Sequence, residues 1–280
     1  RPTDIALRRK TEATRLVEEA MILANETVAG YLERRGFPCL YRVHEPPASD
    51  ALGSLIPVFQ EFDWFEKPME ARLVAGDPKV IQEILTASAL RSEGELVSSL
   101  LLRAMKRADY RPENQGHYGL ASEAYCHFTS PIRRYPDLVV HRMLRAALTR
   151  RPEKFDQEVA ALPWIAEHSS AMERVAEAAA LESQELKMVE YLAAFVGQSF
   201  SAVISGVAAW GLYVRLDCTA EGILPVRALG DEYFVFDPVR YTLVGDESGK
   251  VYRLGQRVAV TLKSADATTA SLEFVLAGRR

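Results

Sequence analysis

The sequence is short of most features that mark a secreted or membrane-spanning chain. Cysteine is scarce: Cys39, Cys126 and Cys218 are the only 3 among 280 residues. Their odd number and wide spacing make neither a disulfide framework nor a metal-binding repeat, so the expected setting is reducing, intracellular and cytoplasmic. No apolar run approaches the roughly 20 residues needed to cross a bilayer, and no signal-peptide pattern is visible. Positive charge is not in excess either. The formal net charge is −4, which excludes a global basic field, so any contact with nucleic acid must rest on local cationic groups. Arg1 stands where an initiator Met would, which fits a fragment or a processed product.

What remains is globular in character, with 48% hydrophobic and 26% charged residues, enough for one large or two medium domains. Residues 11–35 read as one helix. Glu12, Arg15, Glu19, Glu26 and Glu33 lie on its polar face, Val17, Met21, Ala24 and Val28 on an apolar line, and Glu18 and Asn25 interrupt the apolar surface. Leu40–His44 alternates like a short strand. Residues 48–60, 78–91, 93–108, 136–150 and 163–195 read as helices, punctuated by Pro68 and by Gly76-Asp77-Pro78. Tyr110–Ser130 reads as a glycine- and aromatic-rich loop or extended chain. Near residue 195 the character changes to short alternating strands at 199–207, 211–216, 221–226, 251–262 and 271–275. Five strands with a longer excursion before the fourth predict a small OB-fold barrel. The expected architecture is α+β, mostly helical over 1–195, followed by a five-stranded barrel over 196–280.

The most informative stretch is His127-Phe-Thr-Ser-Pro-Ile-Arg-Arg-Tyr-Pro-Asp-Leu138. Ser130 and Pro131 have the chemistry of an N-cap and first helical residue. Arg133 and Arg134 would then add guanidinium forks to a helix N-terminus, an arrangement suited to a phosphodiester. Pro136 must break, kink or restart that helix.

That segment, together with Glu18–Asn25, Tyr41-Arg-Val-His44, Glu113–Leu120 and His141-Arg142, resembles the ribonuclease II/ribonuclease R family in order and spacing. The β-rich tail is similar to the OB-type RNA-binding domain that closes those enzymes. The resemblance covers nearly the whole chain and implies the C-terminal part of an RNB catalytic domain plus that barrel. It further implies processive, metal-dependent 3′→5′ hydrolysis of single-stranded RNA to nucleoside 5′-monophosphates, with Mg²⁺ as cofactor. No aspartate cluster of the family's metal-binding kind is present; Asp4 is isolated. The resemblance therefore places the metal ligands outside this chain, in a missing N-terminal part of the catalytic domain, with a monomer as the complete enzyme. The alternative is a non-catalytic RNA-binding protein that has lost those aspartates.

By the same resemblance Arg133 is the catalytic arginine, binding the phosphate and stabilising charge as water attacks; the bland reading is an ion pair, with Asp137 a candidate. Glu18 would sit with Arg133 in one deep cleft and accept from a ribose 2′-hydroxyl. Arg134, His117 and Tyr118 are further RNA-contact candidates, each with a structural alternative. On the barrel, Trp210 and Tyr213 stand where stacking aromatics are expected, and Arg215, Arg227, Arg253, Arg257 and Lys263 could form a basic stripe. No metal-ligating residue is expected here, and no membrane partner.

Overall fold

Thr11 opens the first helix by accepting a hydrogen bond from Thr14 N at 3.2 Å, as an N-cap threonine does. In the computed structural model, which describes residues 2–6, 10–91, 93–149 and 156–278, this helix is α1, Glu12–Arg34. It ends in a Schellman closure, with Gly36 N bonded to Glu33 O at 2.9 Å and Phe37 N to Leu32 O at 3.0 Å, so the freed carbonyls are satisfied. Its C-terminal half buries Asn25, Val28, Ala29 and Leu32. The N-terminal half leaves Leu16, Val17 and Leu23 exposed, so the apolar line expected along the helix is covered only at one end.

Strand β1, Tyr41–Val43, pairs antiparallel with β2, Asp109–Arg111. Between them lie α2 (Ser49–Gly53), α3 (Ile56–Phe59), α4 (Lys67–Val74), α5 (Pro78–Ser88) and α6 (Gly94–Ala104). The single helix expected over 48–60 is two short ones, with Pro57 in the first turn of the second. Pro68 likewise starts α4 rather than only interrupting the chain, because a first-turn N–H has no intrahelical partner to lose. Asp77 caps α5 by accepting from Lys79 N at 2.9 Å.

Two further helices complete the first part: α7, Tyr135–Thr149, and α8, Asp156–Leu192. The expected start of α8 at residue 163 is wrong. Pro163 lies inside the helix, and the turns on either side hold because Leu162, Ile165 and Ala166 are buried against α1, β1 and α7.

The barrel consists of β3 (Ser199–Ala208), β4 (Gly211–Leu216), β5 (Glu221–Pro225), β9 (Arg257–Asp266) and β10 (Ser271–Leu276). It closes in the order β10-β5-β4-β3-β9, as the alternation predicted. The excursion before its fourth strand is a separate antiparallel sheet of β6 (Phe234–Asp237), β7 (Thr242–Gly245) and β8 (Val251–Arg253). The strand expected over 251–262 is thus two strands in different sheets.

Packing groups these elements differently from their order in the chain. One core joins Leu52, Phe59, Ile84 and Leu100 of the middle helices to Ile204, Leu224, Leu262 and Phe274 of the barrel. A second core holds α1, β1, β2, α7 and the first part of α8. The barrel therefore shares its apolar interior with α2–α6, reinforced by Arg215–Glu95 at 3.2 Å and by Arg240–Glu61.

Barrel closure is parallel only between β5 and β10, where Glu273 sits opposite Ile223. Gly222 lies at this seam. A Cβ there would stand 2.5 Å from Leu272 O and 2.6 Å from the Phe274 ring. Gly222→Ala is expected to destabilise by about 1–3 kcal/mol through overpacking, read as a lowered urea midpoint; an unchanged midpoint would show that the seam can open to admit a methyl group.

Candidate nucleic-acid interface

The loop that carries the two arginines is tied down from α1. Asn25, which broke the apolar face in the sequence, is 3% exposed. Its Nδ2 donates to Tyr125 Oη at 2.9 Å and its Oδ1 accepts from Phe128 N at 3.0 Å. His141 donates from Nε2 to Phe128 O at 2.9 Å, with the two rings stacked at 4.1 Å. Chain segments about a hundred residues apart are locked into one frame.

Beyond Phe128 the structure departs from the expected helix start. Pro131–Arg133 is a turn, and α7 begins only at Tyr135 with Pro136 in its first turn. Ser130 is no N-cap: its own N–H donates to Asp137 Oδ1 at 2.7 Å. Ser130 O accepts from Arg133 N at 3.3 Å and Arg134 N at 3.1 Å. Those two N–H groups are therefore consumed in the turn and cannot meet a phosphate.

The arginines have separate duties. Arg134 Nη2 donates to Asp137 Oδ1 at 2.8 Å, and Asp137 is 0% exposed. Arg134, an expected RNA contact, is thus held in a largely buried ion pair. The carboxylate next to the motif pairs with Arg134 and not with Arg133. Arg133 is exposed, and its guanidinium makes no hydrogen bond or ion pair among the described residues. It lines a cleft of about 830 Å³ with Tyr110, Arg134 and Tyr135 on one side, and α8 residues from Trp164 to Glu177 on the other.

The cleft's electrostatics come from its walls. Arg42 lies 4.8 Å from the Tyr110 ring centroid and pairs with Glu173, while Arg107 pairs with Glu177 at 3.6 Å. Tyr110 Oη and His127 Nδ1 share a hydrogen bond of 2.8 Å. Burial, then the Arg134 and Arg42 charges, push His127 down to about 3. Burial, then His44 and Arg42, push His117 down to about 4. Both imidazoles are held neutral beside the arginine loop.

The other expected contacts lie elsewhere. Glu18 sits on the exposed half of α1, 44% exposed and paired with Lys10 at 2.8 Å; it is not among the cleft's lining residues. The common cleft expected for Glu18 and Arg133 is not formed among the described residues. His117 packs against His44 and Tyr125 at ring distances of 5.1 and 5.3 Å. Tyr118 Oη donates to Gly76 O at 2.9 Å. Both side chains are structural joints in this arrangement. Gly119 N donates to His44 Nδ1 at 2.9 Å, and a Cβ at 119 would meet the same atom at 2.9 Å, so this close approach requires glycine.

On the barrel, Trp210 is 64% exposed, and its Nε1 lies 3.4 Å from Tyr213 Oη. Tyr213 borders a second recess of about 370 Å³ with Glu185 and Met188 of α8. The expected basic stripe is largely neutralised: Arg215 pairs with Glu95, Arg257 with Asp217, and Arg227 and Lys263 share Glu273. Exposed pairs of this kind are weak and screened by salt. No group of three His, Cys, Asp or Glu side chains among the described residues could hold a metal ion. Sequence reasoning missed the α8 wall of the cleft, although Trp164, His168, Met172 and Ala176 recur at a four-residue spacing that marks one helix face.

Comparison with known proteins adds to this geometry. The RNB domain model matches residues 1–150. The chain belongs to the RNB family. A second model, the S1 RNA binding domain, matches residues 193–275 of this RNB-family chain. Ribonuclease R of Aquifex aeolicus is 41% identical over 277 residues, covering 98% of the chain and 39% of that relative. Mycoplasma genitalium RNase R in complex with ribose methylated single-stranded RNA superposes with a TM-score of 0.82 at 28% identity, over 96% of the chain and 42% of that structure. Yeast Ssd1, a pseudonuclease, has a TM-score of 0.63 at 23% identity, over 84% of the chain and 29% of its own. The chain thus spans about two fifths of the length of the first two. The likeness to Ssd1 is one of fold alone.

Two outcomes follow from the site's geometry. Removing one partner of a buried ion pair leaves an uncompensated charge, so Asp137→Ala is expected to cost about 3–5 kcal/mol, read by urea denaturation; a loss below ~1 kcal/mol would contradict the pairing. His127 and His117 have folded values below the ordinary 6.5. The unfolded chain therefore binds more protons between those values, so the stability they contribute is present above about pH 6.5 and is lost as pH falls toward 3. His127→Asn is expected to flatten this decline in a urea-midpoint series against pH, and an unaltered slope would show that the neutral imidazole is not its source.

Proposed function

We propose that this chain is the RNA-engaging portion of a 3′→5′ exoribonuclease that hydrolyses single-stranded RNA processively to nucleoside 5′-monophosphates. The observation that carries this reading is the Arg133 guanidinium, presented without an ion-pair partner among the described residues, on a tied-down turn beside a cleft. A planar guanidinium can take two oxygens of one phosphodiester. The turn holds its backbone beside the cleft, and a guanidinium on the phosphate favours the phosphorane-like state, in which negative charge builds on those oxygens. The family match, the second match to an S1 RNA binding domain and the similarity to ribonuclease R support the reading.

Trp210 and Tyr213 act in this reading as a sequence-tolerant stacking surface for RNA outside the cleft. Arg134 acts indirectly, through its pair with Asp137. Glu18, His117 and Tyr118 lie outside the lining of the Arg133 cleft, so any contact they make with RNA is made elsewhere. Mg²⁺ is the expected cofactor, but the described residues offer no ligand set for it. We place its ligands outside this chain, in an N-terminal part of the catalytic domain. We also assign the division between RNB portion and barrel to residues 195/196, a monomeric complete enzyme and a cytoplasmic setting. A non-catalytic RNA-binding protein is the second reading, favoured by the lack of a metal-holding cluster among the described residues.

Arg133→Ala decides between them. In the exonuclease reading, degradation of 5′-labelled single-stranded RNA by the full-length protein, N-terminal part included, falls about 10²–10³-fold. Arg133→Lys does not restore it, because an ammonium lacks the planar fork. Thermal stability stays within ~0.5 kcal/mol, as for other exposed substitutions. Full-length protein, N-terminal part included, that binds RNA without shortening it in the presence of Mg²⁺ would establish the binding-only reading; a variant that fails to fold would remove the basis for a catalytic role.

A further inference from the structure

The cleft wall opposite Arg133 is one face of α8. Trp164, His168 and Met172 follow at four-residue intervals, a spacing that stacks side chains along one side of a helix. Trp164 is 64% exposed. Its ring lies nearly parallel to that of His168, with centroids 4.9 Å apart and an interplanar angle of 8°. An exposed ring pair on a helix is often only a local stabiliser, worth a few tenths of a kcal/mol. That accounts for the pair but not for its place in the cavity that Arg133 lines.

Charge decides what this cavity suits. Glu173 and Glu177, the acidic residues on the α8 wall, are each ion-paired, with Arg42 and Arg107. Their negative charge is offset by those cations, whereas the Arg133 charge has no carboxylate against it among the described residues. An anion is therefore favoured at the Arg133 side, and a flat apolar group at the Trp164 side. A purely apolar ligand would leave the guanidinium unused, and a simple anion would leave the rings unused. A nucleotide unit carries both a phosphate and a π-face.

We propose that Trp164 and His168 form a base-stacking subsite, which takes a nucleobase of single-stranded RNA whose backbone phosphate is held by Arg133. This rests on the RNA-engaging reading above and adds to it the residues that read a base. Stacking on an indole engages the face of the base and not its hydrogen-bonding edge, so the subsite accepts all four bases. His168 backs the indole, and Trp164 presents the outer face.

The test measures binding of a uniform single-stranded RNA and of the same RNA carrying one abasic sugar at each position in turn. Wild type, Trp164→Ala and Trp164→Phe are compared by fluorescence anisotropy at one salt concentration, each with a matched thermal melt. Trp164→Ala should weaken the intact RNA by ~5- to 140-fold, the span of one base–aromatic stack. Trp164→Phe should stay close to wild type. One abasic position should reproduce the loss in wild type and add nothing in Trp164→Ala, because the two changes delete the same contact. Equal affinity of wild type and Trp164→Ala for intact RNA overturns the subsite alone, and would leave the ring to a protein contact. A loss in Trp164→Ala that every abasic position adds to in full also overturns it. Wild-type protein that binds no RNA overturns the RNA-engaging reading itself, so the two failures are distinguishable.

Discussion

A carboxylate with no exposed surface holds the loop on which the site depends. Asp137 Oδ1 accepts from both Ser130 N and Arg134 Nη2, which ties the two ends of the Ser130–Arg134 turn to the first turn of α7. Burying an ion pair is a poor way to gain stability, because desolvation offsets most of the attraction. What such a pair does supply is geometry. Both arginines border the cleft, but with Arg134 committed to Asp137, Arg133 is the one left without an ion pair among the described residues. Two adjacent arginines that look equivalent in the chain become one strut and one exposed cation.

The frame around that loop is built from polar and aromatic side chains. Asn25 reaches from α1 to Tyr125 and Phe128, His141 stacks beneath Phe128, and Tyr110 bonds to His127. Charged groups in this position would compete with Arg133 for a phosphate or repel it. The depressed value of His127 keeps that imidazole uncharged near neutrality, so it adds no charge to the field of the arginines. The isolated asparagine on an otherwise apolar face of α1 is what makes this frame possible, since a buried amide with satisfied partners fixes orientation without adding charge.

The two expected RNA surfaces are built on different principles. The cleft combines a fixed cation with apolar and aromatic α8 side chains. The barrel face offers Trp210 and Tyr213, with its nearby basic groups largely paired to carboxylates. The link between the surfaces is physical: α8 runs from the cleft wall at Trp164 to the recess beside Tyr213 at Glu185 and Met188. The barrel's shared core with α2–α6 holds it against the helical part.

Local chemistry written into the chain determined the helices opened by Thr11 and by Asp77-Pro78, the alternating barrel strands, and the family motif around Arg133. These depend on residues a few positions apart, where capping, φ restriction and side-chain periodicity act directly. The tertiary structure alone decided which arginine pairs with Asp137, that the helix starts at Tyr135 and not at Ser130, and that Glu18 lies away from the cleft. It also carried α8 through Pro163 and placed Trp164 opposite Arg133. Each of these outcomes depends on contacts between distant segments, such as Asn25 with Phe128 or Arg42 with Glu173. Such contacts are selected by how buried surfaces and charges fit together, and local sequence does not encode that fit.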